Sequence, residues 1–166
     1  MEAAGARASR LIDLCMKHGD FKVALAYKKE DRFIWSKHQT VLKLWESKKG
    51  LEFLERANNR QILPCEIVLD MDDDVSEKKL NEICDALDEF GFSYKAYFTG
   101  SKGYHIHVYI KELAAYSKQS RYKIRHHLIS KFGCDTQKSS DTVMIALEDV
   151  PHWKTGNMKK MVRVSR

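Results

Sequence analysis

The spacing of apolar residues changes along the chain and divides it into helical and extended stretches. Apolar residues at helical spacing predict helices over 5–18 and 38–57. Two further helices are predicted over 76–90, where Gly91 ends the stretch, and over the basic stretch 112–131, which Gly133 ends. Shorter runs with alternating or continuous apolar residues lie between them and predict strands. The predicted strands are Glu66–Met71, Lys95–Phe98, Tyr104–Ile110, Val143–Leu147 and Met161–Val164.

After residue 65 these elements follow the order β-α-β-β-α-β. This order predicts an α+β fold with an RNA-recognition-like core, in which the strands form one layer and the helices another. We expect residues 1–60 to form an N-terminal helical segment packed on that core, which spans 61–166. A length of 166 residues suits a single structural domain overall.

The first strand of this core ends in acidic residues. Alternation gives it an apolar face with Ile67, Leu69 and Met71, and a second face with Val68, Asp70 and Asp72. Two carboxylates about 7 Å apart on one face repel each other unless a cation lies between them. Mg²⁺ or Mn²⁺ suits such oxygen ligands. The alternative is an acidic helix start that binds no metal.

A glycine turn precedes the strand that carries two histidines. Its sequence, Thr99–Gly103, places Ser101 and Lys102 between two glycines, so backbone N–H groups and an ammonium can face a phosphate. In the strand that follows, His105 and His107 share a face, which we expect to be open, and His105 can donate a hydrogen bond there. An ordinary hairpin loop is the alternative.

Charge is unevenly distributed over the chain, whose formal net charge is +6. Residues 70–89 hold nine acidic residues and two lysines, whereas 150–166 hold five basic residues and no acidic one. An acidic spot in a basic chain fits metal ions that act on a polyanion, and solvated helices are the alternative. Four scattered cysteines predict no structural zinc.

The sequence also bears on location. It has no apolar run of the length that spans a membrane, so we expect no membrane contact. The N-terminus lacks the apolar core of a signal peptide, so we expect a cytoplasmic protein that is not secreted. Association with a nucleoid, or with viral or plasmid replication, fits this expectation.

Three segments in this order resemble the motifs of the archaeo-eukaryotic primase superfamily. The first is the strand that ends in Asp70-Met71-Asp72. The second is the turn that leads through Gly103-Tyr104 to His105. The third is an aspartate, Asp135, followed after some twenty residues by His152-Trp153-Lys154-Thr155-Gly156. The resemblance covers roughly residues 60–160.

The resemblance implies a DNA primase or primase-polymerase that joins nucleotides from (d)NTPs on a single-stranded DNA template. It makes Asp70, Asp72 and Asp135 ligands of a two-metal Mg²⁺ or Mn²⁺ site, with Asp141 as the alternative to Asp135. It also assigns triphosphate contacts to Ser101, Lys102, His105, His152 and Lys154. A helicase or a larger replication protein is an expected partner.

The chain departs from the family where many members have an Arg-x-Pro-Gly stretch. Here Ala146-Leu147-Glu148-Asp149 stands in that place, and Arg163 is the candidate replacement for the missing arginine. Basic residues of the last helix and of the C-terminal tail are expected to follow the template backbone. They are Lys118, Arg121, Lys123, Arg125, Lys159, Lys160 and Arg163.

Three other functions stay open. His105-Ile106-His107 with Tyr116 or Tyr122 resembles rolling-circle replication endonucleases of the HUH type. The glycine turn also resembles ligase-associated repair polymerases. A non-catalytic RNA-recognition-like subunit would usually stack bases on aromatic side chains of the sheet, whereas here that face carries acids and histidines.

Overall fold

A computed structural model describes residues 4–71 and 77–166, so Asp72 lies outside the described residues. The fold is α+β. Two 3-10 helices, Lys111–Ala115 and Thr136–Ser139, accompany the main elements. These are α1 Ala6–His18, β1 Lys22–Ala24, β2 Ala26–Lys29, β3 Arg32–Trp35, β4 Gln39–Thr40, α2 Val41–Trp45, α3 Lys48–Arg56, β5 Asn59–Gln61, β6 Glu66–Met71, α4 Glu77–Glu89, β7 Ser93–Phe98, β8 Tyr104–Tyr109, α5 Lys118–Lys131, β9 Met144–Ala146 and β10 Lys160–Val164.

The chain divides into two compact units. The N-terminal unit comprises residues 1–61 together with 144–147, and the C-terminal unit comprises 62–143 and 148–166. No helix in the described ranges is both long and apolar enough to cross a bilayer.

The N-terminal unit holds strands as well as helices, which corrects the prediction of a purely helical segment. Its sheet has the order β4-β1-β5-β9, and β2 and β3 form a separate two-stranded ribbon. The predicted strand Val143–Leu147 joins this sheet, where β9 pairs with β5, and not the core sheet. These strands have two to four residues, which is too short for an alternating pattern to show.

The predicted helix over 38–57 is two helices, because the chain turns between Trp45 and Lys48. Ser47 caps α3 by accepting a hydrogen bond from the Gly50 N–H at 3.0 Å. A Cβ atom on Gly50 would lie 1.8 Å from the carbonyl oxygen of Leu44. Gly50 therefore allows the close approach of α2 and α3.

We expect Gly50→Ala to lower the free energy of unfolding by about 3 kcal/mol, because overpacking against backbone is costly. The usual effect of this change inside a helix is opposite, a gain of about 1 kcal/mol. Urea denaturation measures the change, and Glu52→Ala on the exposed side of α3 serves as the control. A variant as stable as the original chain would contradict the close packing.

The C-terminal unit contains an antiparallel sheet of order β10-β7-β8-β6. Because β6 and β7 both pair with β8, the segment β6-α4-β7 is a split β-α-β unit. The apolar residues of this sheet pack against α4 and α5, as predicted for the face with Ile67, Leu69 and Met71. The core includes Ile67, Leu69, Met71, Leu80, Ile83, Cys84, Leu87, Ala96, Ile106, Val108 and Ile129.

The last strand does not follow the ferredoxin-like arrangement, in which it lies beside the first strand of the core. Here β10 pairs with β7, and β8 is the strand that pairs with β6. The RNA-recognition-like strand order is therefore not what this sheet shows. The predicted helix over 112–131 likewise begins later, at Lys118, where Ser117 accepts a hydrogen bond from the Ser120 N–H.

Candidate functional site

The three motifs meet at one end of the C-terminal sheet. Asp70 pairs with His105 across β6 and β8, and the 99–103 turn joins β7 to β8 at this end. The strand β10 begins opposite Phe98, so the segment before it reaches the same end. Antiparallel register thus places the acidic strand end, the glycine turn and the third motif together.

The acidic strand end presents Asp70 to two nitrogen groups. The His105 Nε2 atom lies 3.3 Å from Oδ1 of Asp70, and the Lys138 Nζ atom lies 3.4 Å from Oδ2. Asp70 and His105 are only 4% and 7% exposed. The expectation of an open sheet face is therefore wrong at this point, because compensating charges allow these polar groups to be buried.

The third motif's aspartate is next to Asp70, and its alternative is engaged elsewhere. The Asp135 N–H donates to the Asp70 carbonyl oxygen at 3.3 Å, and Oδ1 of Asp135 accepts from the Gln137 N–H. Asp141 instead forms ion pairs with Arg121 and Arg125. Burial raises the pKa of Asp141, but hydrogen bonds from both arginines outweigh it and hold that pKa below its usual value.

The glycine turn is tied to the third motif through its backbone. Gly100 has a φ of 86°, and a Cβ there would lie 2.5 Å from the Asn157 carbonyl oxygen. The Thr155 hydroxyl donates to the Gly100 carbonyl oxygen at 2.6 Å. In the same turn Ser101 is half-buried and Lys102 is exposed. Glycine is required at position 100 by both its conformation and its contacts.

The third motif forms a hairpin over residues 149–159. The His152 N–H donates to the Asn157 carbonyl oxygen, and the Gly156 N–H donates to that of His152, both at 2.7 Å. The His152 and Trp153 rings stack at 5.6 Å, and the Lys154 Nζ atom lies 4.9 Å from the Trp153 ring centre. Burial, followed by the charge of Lys154, lowers the pKa of His152.

A buried lysine links the two histidines, which sequence reasoning missed. The Lys159 Nζ atom lies 3.0 Å from Nδ1 of His105 and 3.0 Å from Nε2 of His107. It also lies 5.4 Å from the Tyr97 ring centre, and Lys159 is 1% exposed. The expectation that Lys159 follows the template is therefore wrong. The sequence signal that could have indicated this contact is the position of Lys159 directly before the strand β10.

Hydrogen-bond chemistry fixes the tautomer of each histidine. An ammonium has only donors, so Nδ1 of His105 and Nε2 of His107 both accept from Lys159. The proton of His105 therefore resides on Nε2, which faces Asp70, and that of His107 resides on Nδ1. Burial and then the charge of Lys159 lower the pKa of His105 to about 4 and also lower that of His107.

Within the described residues, Glu66, His107 and Glu148 bring three metal-ligating atoms within 4.8 Å of one another. The His107 Nδ1 atom lies 2.9 Å from Oε2 of Glu66 and 3.3 Å from Oε1 of Glu148. Since Lys159 donates to the other ring nitrogen, a proton on Nδ1 accounts for both short distances. Oε1 of Glu66 also accepts from the Leu63 N–H.

Two more residues expected to follow the template are bound within the fold. Arg125 is fully buried and donates to the carbonyl oxygens of Glu66 at 2.9 Å and Leu63 at 3.1 Å. Arg163 pairs with Asp85 at 2.7 Å and with Asp88 at 2.9 Å, so it does not replace the missing arginine. Lys118, Lys123 and Lys160 are exposed.

Comparison with protein-family models, with curated proteins and with solved structures found no match. The functional proposal therefore rests on the order of the motifs and on the contacts between them.

Protonation of the buried histidines should make the fold sensitive to acid. Their pKa values are lowered in the folded chain, so between about pH 6.5 and pH 4 the unfolded chain binds more protons. We expect the free energy of unfolding to fall through this range by up to about 1.4 kcal/mol per pH unit for each histidine. Urea denaturation at pH 7.5 and pH 5 measures this loss.

A variant that lacks one of the two buried imidazoles tests the cause of this acid sensitivity. His107→Gln should reduce the dependence on pH, because it removes one of the groups whose pKa is lowered. Equal stability of the original chain at the two pH values would contradict the neutral, buried imidazoles.

Proposed function

We propose that this chain is a nucleotidyltransferase of the primase type, which synthesises short primers from nucleoside triphosphates on a single-stranded DNA template. The observation that carries the proposal is the contact between motifs far apart in sequence. Asp70 contacts His105, Asp135 donates to Asp70, and Thr155 donates to Gly100. Motif order alone does not require these contacts, so they support the resemblance independently.

The donor set at the strand end fits Mg²⁺ or Mn²⁺. Asp70 offers a carboxylate whose partner is the Lys138 ammonium, which a metal ion would have to displace, and the backbone N–H of Asp135 donates to the Asp70 carbonyl oxygen. Together with Asp72, these residues would hold the metal ions through hard oxygen ligands. Such ions, when bound, activate the attacking hydroxyl group and neutralise charge on the leaving pyrophosphate.

The chain's own residues supply the remaining polar contacts for a triphosphate. Lys159 fixes His105 as a donor at Nε2, and because that N–H faces Asp70 at 3.3 Å, His105 would orient the carboxylate and not donate to a phosphate itself. Lys102 and Lys154 are exposed cations on the turn and on the hairpin that contacts it. Backbone N–H groups of a glycine turn bind phosphate oxygens well. Catalysis then consists of positioning and electrostatic stabilisation.

The histidine pair weighs against the endonuclease alternative. Nitrogen atoms of both rings face the Lys159 ammonium at 3.0 Å, so a lysine lies where a metal shared by two histidines would bind. The binding-module alternative needs exposed aromatic side chains on the sheet. Here Tyr97, Glu66 and His107 on that face are buried.

Incubation with a single-stranded template, labelled nucleotides and Mg²⁺ or Mn²⁺, with and without a primer, tests the proposal. Synthesis without a primer supports it. Extension that requires a primer favours the repair-polymerase alternative instead. Covalent attachment of the chain to DNA through Tyr116 or Tyr122, with nicking and no synthesis, would refute both.

A further inference from the structure

The ribbon formed by β2 and β3 presents three large aromatic side chains to solvent. Tyr27, Phe33 and Trp35 are 40%, 46% and 44% exposed. Among the residues that the structure describes, the two strands pair only with each other, from Ala26 opposite Trp35 to Lys29 opposite Arg32. Exposed aromatic side chains grouped on one short element are typical of a binding surface.

The pairing register places aromatic and basic residues together on each face of the ribbon. Residues opposite each other in a pair of strands share a face. Phe33 and its partner Lys28 therefore lie on the same face as Trp35, and Phe33 and Trp35 are about 7 Å apart along the strand. The other face carries Tyr27 with Ile34, and Lys29 with Arg32.

Cations surround these rings. Lys28, Lys29, Arg32 and Lys37 are all exposed, whereas the acidic residues of the ribbon are confined to its turn, Glu30-Asp31. An apolar partner would not need these charges, and a second copy of the chain would bring like charges together. A flexible polyanion with exposed aromatic rings complements both the charges and the rings. Unpaired nucleic acid has this chemistry.

We propose that the β2–β3 ribbon binds single-stranded nucleic acid, with bases stacked on Phe33 and Trp35 and phosphates paired with Lys28, Lys29 and Arg32. The choice of ligand rests on the proposed function, whereas the surface belongs to the N-terminal unit and includes none of the motif residues. Duplex is a poorer ligand, because its bases are already stacked on one another.

Fluorescence anisotropy of a labelled oligothymidylate tests the proposal on the full chain, with EDTA present and triphosphates omitted. We expect the double variant Phe33→Ala/Trp35→Ala to bind at least about tenfold more weakly than the original chain. Trp35→Phe keeps an aromatic face and should retain most of the affinity. The control is Phe90→Ala, since Phe90 is 60% exposed after α4 and should not matter. Unchanged thermal unfolding shows that the variants are folded.

Further arms use an RNA strand and a duplex. Binding of either kind of single strand in preference to duplex supports the ribbon, and the stronger ligand identifies the sugar. Equal affinity of the double variant and the original chain would overturn the proposal, and so would absence of binding. Sedimentation of a dimer that the double variant disrupts would assign the surface to a second copy instead.

Binding and synthesis fail separately in these experiments. Weakened binding by the double variant, in a chain that makes no primers, would support the ribbon and contradict the proposed function. Primer synthesis by the original chain, with unaltered binding by the double variant, would support the proposed function and contradict the ribbon as a binding surface.

Discussion

Asp70→Asn is expected to lower primer synthesis at least about a hundredfold, equivalent to about 3 kcal/mol of transition-state stabilisation. The change keeps the size of the side chain but removes the charge that would bind the metal ion. The amide oxygen can accept a hydrogen bond from His105, whose Nε2 atom lies 3.3 Å from Oδ1, but the amide NH2 group cannot accept from Lys138, which lies 3.4 Å from Oδ2 and must turn away. Product formation per folded molecule measures the effect, so that a loss of stability is counted separately.

Asp85→Asn is the matched control for this loss of charge. Asp85 lies on α4 in the same unit, its side chain is 67% exposed, and it pairs with Arg163 at the surface. We expect its synthesis rate to stay within about twofold of the original, because exposed ion pairs contribute little. Equal synthesis by Asp70→Asn and by the original chain would remove Asp70 from the metal site. Circular dichroism and urea denaturation exclude misfolding as the cause.

Much of the core could be predicted because its elements are long and periodic. The strand Glu66–Met71 was predicted with its bounds, and the helices around α1 and α4 within a residue or two. The short strands of the N-terminal unit could not be predicted, since β1 and β5 have three residues each. Their pairing partners include strands more than thirty residues away, β5 for β1 and β9 for β5, and a local pattern carries no information about such contacts.

The burial of the candidate site could not be predicted from the sequence. Alternation placed Asp70 on one face of its strand and His105 with His107 on one face of theirs, and the pairing of Asp70 with His105 across β6 and β8 brings these faces together. Alternation could not show that Lys159 would reach both histidines. The same limit applies to Arg125, which looks like a surface cation on a basic helix. Carbonyl oxygens and Asp141 satisfy it inside the fold.

Lys159→Met is expected to lower the free energy of unfolding by about 3 kcal/mol at pH 8, because each buried hydrogen-bond acceptor left without its donor costs about 1–3 kcal/mol. Methionine fills a similar volume but leaves Nδ1 of His105 and Nε2 of His107 without their donor. It also removes positive charge from a region that holds the carboxylates of Asp70 and Glu66. Urea denaturation measures the loss, and exposed Lys160→Met should cost less than about 0.5 kcal/mol.

The dependence of this loss on pH separates the charge of Lys159 from its packing. Lys159 is the second cause, after burial, of the lowered pKa values of His105 and His107. In the variant that lacks Lys159 the pKa values of both histidines rise, so between about pH 6.5 and pH 4 its folded state binds more protons than the folded original chain does. The stability gap between Lys159→Met and the original chain should therefore narrow from pH 8 to pH 5. A stability gap of constant size would assign Lys159 a packing role only. Nitrogen NMR of the original chain checks the tautomers, and a proton on Nε2 of His105 and on Nδ1 of His107 is the expected result. Any other tautomer would contradict donation by Lys159 to both rings.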